Sequence, residues 1–242
     1  MNQLPIRSRK TFVLLDLTIC LIVFITLVWI RSSSSRQSRD SAIQYVISNG
    51  GSVAYSPSEN IVLMLLGVNK PTYIQFDQLE GKNIDFSQVA ALGDVDTVQL
   101  TNSCNIDTAL PPLTTLPKLR LLILTGSDVT ADGIEHFEGN ESIEAVHLEK
   151  VAIDDRMMEI LATLPNLQYL VMDSATLDPD SLNHFTRHQQ LQSLSIPGTP
   201  ISDGDVEVLL SLPGLTIIRC GTHQFNAESS AKLRGELSVV QE

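Results

Sequence analysis

The stretch DSATLDPDSLNH, residues 173–184, sets Asp173, Asp178, Asp180 and His184 within twelve residues, and His188 follows four residues later. Carboxylates beside an imidazole can exchange a proton with a substrate, and histidines at i and i+4 on a helix can share a zinc ion. The zinc reading lacks its other parts. HFTRH has no glutamate where HExxH requires one, and no third ligand follows at a zinc-site spacing. GxSxG, a Walker loop and GxGxxG do not occur in the sequence either. What residues 173–188 do depends on the elements that carry them.

Those elements repeat. Apolar residues recur as LxxLxL with first positions at Val95, Leu119, Ile143, Leu167, Leu191 and Leu215, always 24 residues apart. The fourth position reads Val98, Leu122, Val146, Leu170, Leu194, Ile218, and the sixth Leu100, Leu124, Leu148, Met172, Ile196, Cys220. Ten residues after each start come Asn105, Val129, Ile153, Leu177, Ile201 and Phe225. Eighteen after come Leu113, Phe137, Leu161, Phe185, Leu209 and Leu233. A degenerate earlier copy begins at Pro71, with Ile74, Phe76 and Val89 in the matching places.

The alternation around LxL predicts a short strand, and DDRMMEILATL and DPDSLNHF, with apolar residues three to four apart, predict a helix or helical turn. A unit of this size cannot bury its own apolar side, so the units must stack around one continuous core. The expected fold is an α/β solenoid of about six to seven coils, with a parallel sheet on the concave face and helices outside.

LRLLILTGSDV, LQYLVMDSATL and LQSLSIPGTPI resemble the leucine-rich repeat, LxxLxLxx(N/C/T)xL, and the resemblance covers residues 95–225. SAIQYVISNGGSVAYSP is similar to the helix-plus-strand opening of bacterial membrane-anchored leucine-rich repeat proteins. The resemblance implies a solenoid that binds on its inner face. One position departs from the pattern. The family's ladder position, the ninth, reads Ser103, Ser127, Val151, Ala175, Thr199 and His223, and neither Val151 nor Ala175 can bond the backbone through its side chain. Less regular middle coils are the expected result.

The repeat frame divides up the opening stretch. Thr130, Asp154, Asp178, Ser202 and Asn226 stand eleven residues after successive starts, and all are N-cap types. Asp178 is then a cap, Pro179 the first helical residue, and Asp180 a first-turn acid like Asp132 and Glu228. His184 and His188 fall on a solvated outer face. No metal and no cofactor are expected. Cys104 and Cys220 lie five coils apart, about 24 Å at ~4.8 Å per strand, which is beyond disulfide reach. Asn140-Glu141-Ser142 is a glycosylation sequon, relevant only in a eukaryotic secretory pathway.

Ahead of the repeats runs TFVLLDLTICLIVFITLVWI, residues 11–30, with Asp16 as its one charge and Trp29 at its far end. Twenty helical residues span about 30 Å of hydrocarbon. No small-x-small cleavage site follows, so an uncleaved transmembrane anchor is expected, with residues 1–10 as a cytoplasmic tail. Residues 31–40 read as a polar tether, 41–70 as an N-terminal cap, 71–226 as the repeats and 227–242 as a C-terminal helical cap. The expected location is the cell membrane, single-pass, with the repeat domain extracytoplasmic.

Formal charge is −12, and from residue 41 onward there are 10 basic and 26 acidic residues, which disfavours nucleic acid as a partner. Solvent-facing strand positions are the third, fifth and seventh of each coil. Leu121, Ile123, Tyr169 and Val171 there form an apolar patch flanking His147, with Glu149 and Asp173 beside it. Clustered exposed apolar groups with an aromatic among them mark a partner surface. Glu149 and Asp173 could also hold a cation weakly or receive an Arg or Lys from the partner. The expected function is non-enzymatic recognition of another protein, with no small-molecule substrate. A passive envelope or scaffold protein and a concave-face hydrolase are the alternatives.

Overall fold

The computed structural model describes residues 35–57, 69–79, 85–178, 180–201 and 203–241. The expected tail, the membrane run 11–30, Pro179 and Ser202 lie outside these residues. Among the described residues, no helix is long and apolar enough to cross a membrane.

Positions one, four and six of the coils are apolar, and nearly every one of them is under 5% exposed. That burial aligns the strands. β2 (Asn69–Asp77), β3 (Thr97–Thr101), β4 (Leu121–Ile123), β5 (Ala145–His147), β7 (Tyr169–Val171), β9 (Ser193–Ser195), β10 (Ile217–Cys220) and β11 (Ser238–Gln241) pair in this order, all parallel. β1 (Ser52–Pro57) adds to β2 antiparallel and completes nine strands. Ile74 pairs with Val98, and Leu122, Val146, Leu170, Leu194 and Ile218 continue that row, so like positions face each other. The degenerate copy at Pro71 is therefore a true coil, with Ile74, Phe76 and Val89 all buried.

Two backbone columns hold the pitch. The carbonyls of Asp96, Arg120, Glu144, Gln168 and Gln192 each accept two N–H groups from the next coil. At the other end of the strands, Gln78, Asn102, Gly126, Lys150, Ser174 and Gly198, each 24 residues on, have φ between 50° and 71°. This left-handed residue turns its N–H onto the following coil: those of Gln78, Asn102, Gly126, Lys150 and Ser174 reach carbonyls at 2.7–2.9 Å. Four of the six are not glycine, so the hydrogen bond offsets the steric cost of a left-handed side chain, ~1–2 kcal/mol.

The ladder position explains its own departure. Ser103 Oγ accepts from Leu79 N–H at 3.3 Å, Ser127 Oγ accepts from Ser103 N–H at 3.2 Å and donates to Leu100 O at 3.0 Å. Thr199 Oγ1 donates to Met172 O. Where Val151 and Ala175 break the series, the backbone substitutes. β6 (Ala152–Ile153) and β8 (Thr176–Leu177) form a separate parallel pair, and Thr176 N–H donates to Val151 O at 3.1 Å. The middle coils thus depart from the others, as expected, and are bonded here by backbone. In the last coil Gln224, not His223, serves the ladder, taking Gly221 N–H on Oε1 and donating from Nε2 to Ile196 O and Thr199 O.

Helical segments return the chain on the outer side. They vary from an α-helix at Asp155–Ala162, Val206–Ser211 and Ala227–Glu236 to 3₁₀ turns such as Ser181–Arg187. Thr130 caps its turn by accepting from Asp132 N–H, Asp154 accepts from Met157 N–H at 2.7 Å, and Asn226 accepts from Ser229 N–H at 2.9 Å. Asp178 does otherwise. Its Oδ2 accepts from Asp155 N–H of the preceding coil at 3.1 Å, and the turn begins later, at Ser181. Asp180 sits before that turn, left-handed with φ 64°, instead of inside it. Asp107 and Asp203 likewise hold the backbone N–H of Thr130 and Asn226 in the neighbouring coil, at 2.9 and 3.0 Å. Asn105 is exposed and left-handed, and Ile106 takes its expected core place.

Both ends differ from the expected boundaries. The N-terminal helix covers 35–48, so residues 35–40 of the expected tether are helical and continuous with the amphipathic part that buries Ala42 and Val46. Gly50, at φ 84°, ends it, and a Cβ on Gly51 would lie 2.6 Å from the Phe76 ring. At the other end the Ala227–Glu236 helix is followed by β11, so the closing element is a helix and a strand, not a helix alone.

Candidate functional site

Three rows of side chains cover the open face of the sheet. Position three reads Tyr73, Thr97, Leu121, Ala145, Tyr169, Ser193 and Ile217 across adjacent strands. Position five reads Gln75, Gln99, Ile123, His147, Val171, Ser195, Arg219 and then Val240 of β11. Position seven, at the strand ends, reads Asp77, Thr101, Thr125, Glu149, Asp173, Pro197 and Gly221.

The face changes character between β3 and β4. On β2 and β3 the polar groups satisfy one another. Tyr73 OH donates to Gln99 Oε1 at 2.5 Å, with Gln75 Oε1 at 3.0 Å, and Gln99 Nε2 donates to Thr101 Oγ1 at 3.0 Å. Burial pushes the Tyr73 phenol pKa up, so the donor stays protonated. From β4 to β7 positions three and five are apolar apart from His147. Leu121, Ile123, Ala145 and Val171 are half-buried in register, and Tyr169 is 46% exposed. Among the described residues the exposed large apolar side chains are Ile47, Tyr55, Tyr169, Ile217 and Val240, so three of the five lie on this face.

His147 stands between the apolar rows and the acidic end. Its burial pushes the imidazole pKa down, and the negative charges of Asp173 and Glu149 offset that only in part. The ring is therefore neutral near pH 7. The two carboxylates are engaged, not simply solvated: Ser195 Oγ donates to Asp173 Oδ1 at 2.7 Å, and Lys150 Nζ lies 3.1 Å from Glu149 Oε1. Serine, histidine and aspartate share this face, but Ser195 is two strands from His147 and its hydroxyl bonds the carboxylate. A nucleophilic triad needs that hydroxyl on the imidazole. Among the described residues no group of three or more His, Cys, Asp or Glu is placed to hold a metal ion.

The opening stretch is dispersed by the fold. Asp173 faces the open side, Asp178 and Asp180 serve the outer turns, and His184 Nε2 lies 2.8 Å from Asp155 Oδ1. His188 is not solvated as expected; it is 7% exposed. The segment is 3₁₀, with three residues per turn, so Leu182, Phe185 and His188 share one inward face. His188 Nδ1 accepts from Leu191 N–H at 3.1 Å, which leaves Nε2 to donate to Leu164 O at 2.8 Å. An i+3 reading of the apolar spacing would have found it. Cys104 is exposed, and Cys220 is buried with its pKa pushed up by burial. Ile217, an outward third position by the 24-residue frame, joins the candidate surface beyond the expected patch, and Val240 joins it through the pairing of β10 with β11.

The sequence matches no family model and no curated protein. Similar solved structures include an internalin (inlF) from Listeria monocytogenes, 14% identical with a TM-score of 0.37, over 68% of this chain and 60% of that one. A protein from Bacteroides fragilis is 12% identical with a TM-score of 0.43, over 71% of this chain and 65% of its own. The plant peptide hormone receptor RGFR1 in complex with RGF2 is 16% identical with a TM-score of 0.35, over 64% of this chain and 26% of its own. This chain spans less than two thirds of each of the three. Its 24-residue coils and parallel sheet make a leucine-rich-repeat-like fold.

Proposed function

We propose that this protein is a membrane-anchored recognition module whose repeat domain binds another protein on the open, concave face of its sheet. The observation that carries this reading is the register of β4, β5 and β7, which sets Leu121, Ile123, Ala145, Tyr169 and Val171 side by side on the solvent face. These side chains pack across neighbouring strands and still leave apolar surface open to solvent, which suits a partner. His147, Glu149 and Asp173 frame the patch and supply its polar contacts. Residues 11–30 would hold the domain at the cell membrane, single-pass, on the extracytoplasmic side.

Capture of partners by the full chain in detergent, compared with Ile123→Asp and Tyr169→Asp, tests the surface. The variants are expected to lose a partner while keeping the wild-type unfolding midpoint. Equal recovery of every partner would remove the binding reading and favour a passive scaffold. Alkaline carbonate extraction tests the anchor, which predicts the full chain in the membrane pellet and protease digestion of the repeats from outside.

A further inference from the structure

The edge of the sheet where the strands begin carries charge in stripes. Lys70, Asp94 and Lys118 each stand just before the start of a coil, and Asp96, Arg120 and Glu144 are the second residues of the coils that start at Val95, Leu119 and Ile143. Counting coils from the one at Pro71, the edge reads one positive charge, then two negative, then two positive. The fourth coil, with Glu141 beside Glu144, adds two negative. The same positions in later coils are Asn166 and Gln168, Gln190 and Gln192, Gly214 and Thr216, so the alternation ends there. The charged side chains line one hollow of about 690 Å³. Three of the ten basic residues beyond residue 40 stand in it, so this edge gathers positive charge that the acidic domain otherwise spreads thinly.

Within one molecule the stripes pair sideways. Lys118 Nζ lies 2.6 Å and Lys70 Nζ 3.5 Å from Asp94 Oδ1, and Arg120 reaches Glu144 at 3.5 Å. Asp96 accepts from the neutral Thr97 hydroxyl at 2.8 Å. The cations stay accessible, with 56% of the Lys118 side chain and 57% of the Arg120 side chain exposed. Exposed ion pairs of this kind add little to the stacking of coils that already share an apolar core. An ammonium or a guanidinium carries several N–H donors, so each can serve carboxylates on two sides at once.

We propose that this edge joins two copies of the chain, stacked antiparallel about a two-fold axis that lies in the plane of the edge and crosses the stack between the second and third coils. Such an axis sets the second coil of one copy on the third coil of the other, and the first on the fourth. Asp96 then meets Arg120 of the other copy, Asp94 meets Lys118, and Lys70 comes to the acidic pair Glu141 and Glu144. Symmetry makes each contact twice, and like charges meet nowhere. Moving the axis onto the second coil would set its carboxylates against their own copies. Moving it to the gap after the third coil would leave the first two stripes against uncharged residues. The pattern therefore selects one register, which is what complementary charge does best at an interface. The surface lies at the strand starts, and the proposal does not depend on the open face binding a partner.

Sedimentation equilibrium of the full chain in density-matched detergent tests this. The wild type is expected to dimerise. Asp96→Lys and Arg120→Glu each set like charges across the axis, and either alone is expected to weaken the dimer at least about tenfold. Mixed in equal amounts, the two variants place opposite charges at both contacts, so a mixed dimer of near wild-type affinity is expected. Mixing cannot repair a folding defect or repulsion between adjacent coils of one chain, so the rescue reports on the contact between copies. Should either variant fail to fold, Asp94→Lys and Lys118→Glu form the equivalent pair. Gln192→Lys, on the uncharged part of the same edge, is expected to leave the dimer unchanged. A monomeric wild type, single variants that dimerise as the wild type does, or a mixture no tighter than its components overturns the proposal.

Discussion

The coils at β2–β3 and those at β5–β8 share one backbone and use it differently. In the first group polar side chains bond to one another on the open face, and serine hydroxyls at 103 and 127 carry backbone N–H groups from coil to coil. In the second group Val151 and Ala175 replace the hydroxyls, a short backbone bridge takes over, and the open face carries apolar groups beside His147, Glu149 and Asp173. Buried polar groups must be matched wherever the chain turns inward, and the two groups of coils meet that demand by side chain or by backbone. Only the second leaves apolar surface for something outside the molecule. The difference teaches that a regular solenoid need not have a uniform surface, and that the surface of interest begins where the polar network stops.

The largest effect expected from this contrast is on binding. Tyr169→Asp should weaken partner capture at least about thirtyfold, the scale of a ~2 kcal/mol hot spot, while Gln99→Asp in the polar half should leave it unchanged; titration calorimetry against the captured partner decides. Ser127→Ala should cost ~1–3 kcal/mol in urea unfolding, because it strands the buried Ser103 N–H and removes a donor from Leu100 O. Ala175→Ser, in the backbone-bridged group, should change stability by under about 1 kcal/mol, and a larger gain would mean that the bridge is a poor substitute. Asp154→Ala removes a side-chain cap and should cost about 1 kcal/mol, whereas Asp180→Ala, with no cap bond, should stay within about 0.5 kcal/mol.

The smallest effect is a pH dependence in the apolar group. The folded pKa of His147 lies below the ordinary value of 6.5, so as pH falls the unfolded chain takes up the proton first. Stability associated with the neutral ring is full above about pH 6.5 and is lost as pH falls through the lower, folded value. His147→Gln should flatten the melting temperature of the protein across that window; an unchanged slope would assign the acid sensitivity to other groups.

Much of this was legible in the sequence because burial repeats with the coil. Leu170 and Leu194 occupy equivalent positions and meet in the sheet, and the spacing of 24 says so directly. Bonds between coils were not legible. Asp178 looks like a cap for the helix that follows it, but its carboxylate serves Asp155, 23 residues earlier, because stacking brings neighbouring turns together. His188 was misplaced by reading an α-helical spacing onto a 3₁₀ turn. The left-handed column escaped notice because Gln78, Asn102, Lys150 and Ser174 share a backbone shape and no side-chain chemistry. The apolar patch and the outward position of Ile217 were legible in the repeat frame, but the extension to Val240 needed the unexpected β11.

The column of paired carbonyls and left-handed N–H groups also sets how the molecule meets a mechanical load. Each coil touches its neighbours, and the bonds between coils run along the stack, so tension on β11 loads one interface at a time. The coils would come off singly, as links from a chain end. Each step would free one 24-residue unit, about 80 Å of extended chain at ~3.3 Å per residue, while the coils below kept their strands. A domain tethered at one end and grasped at the other would then yield in steps, giving length before it gives way.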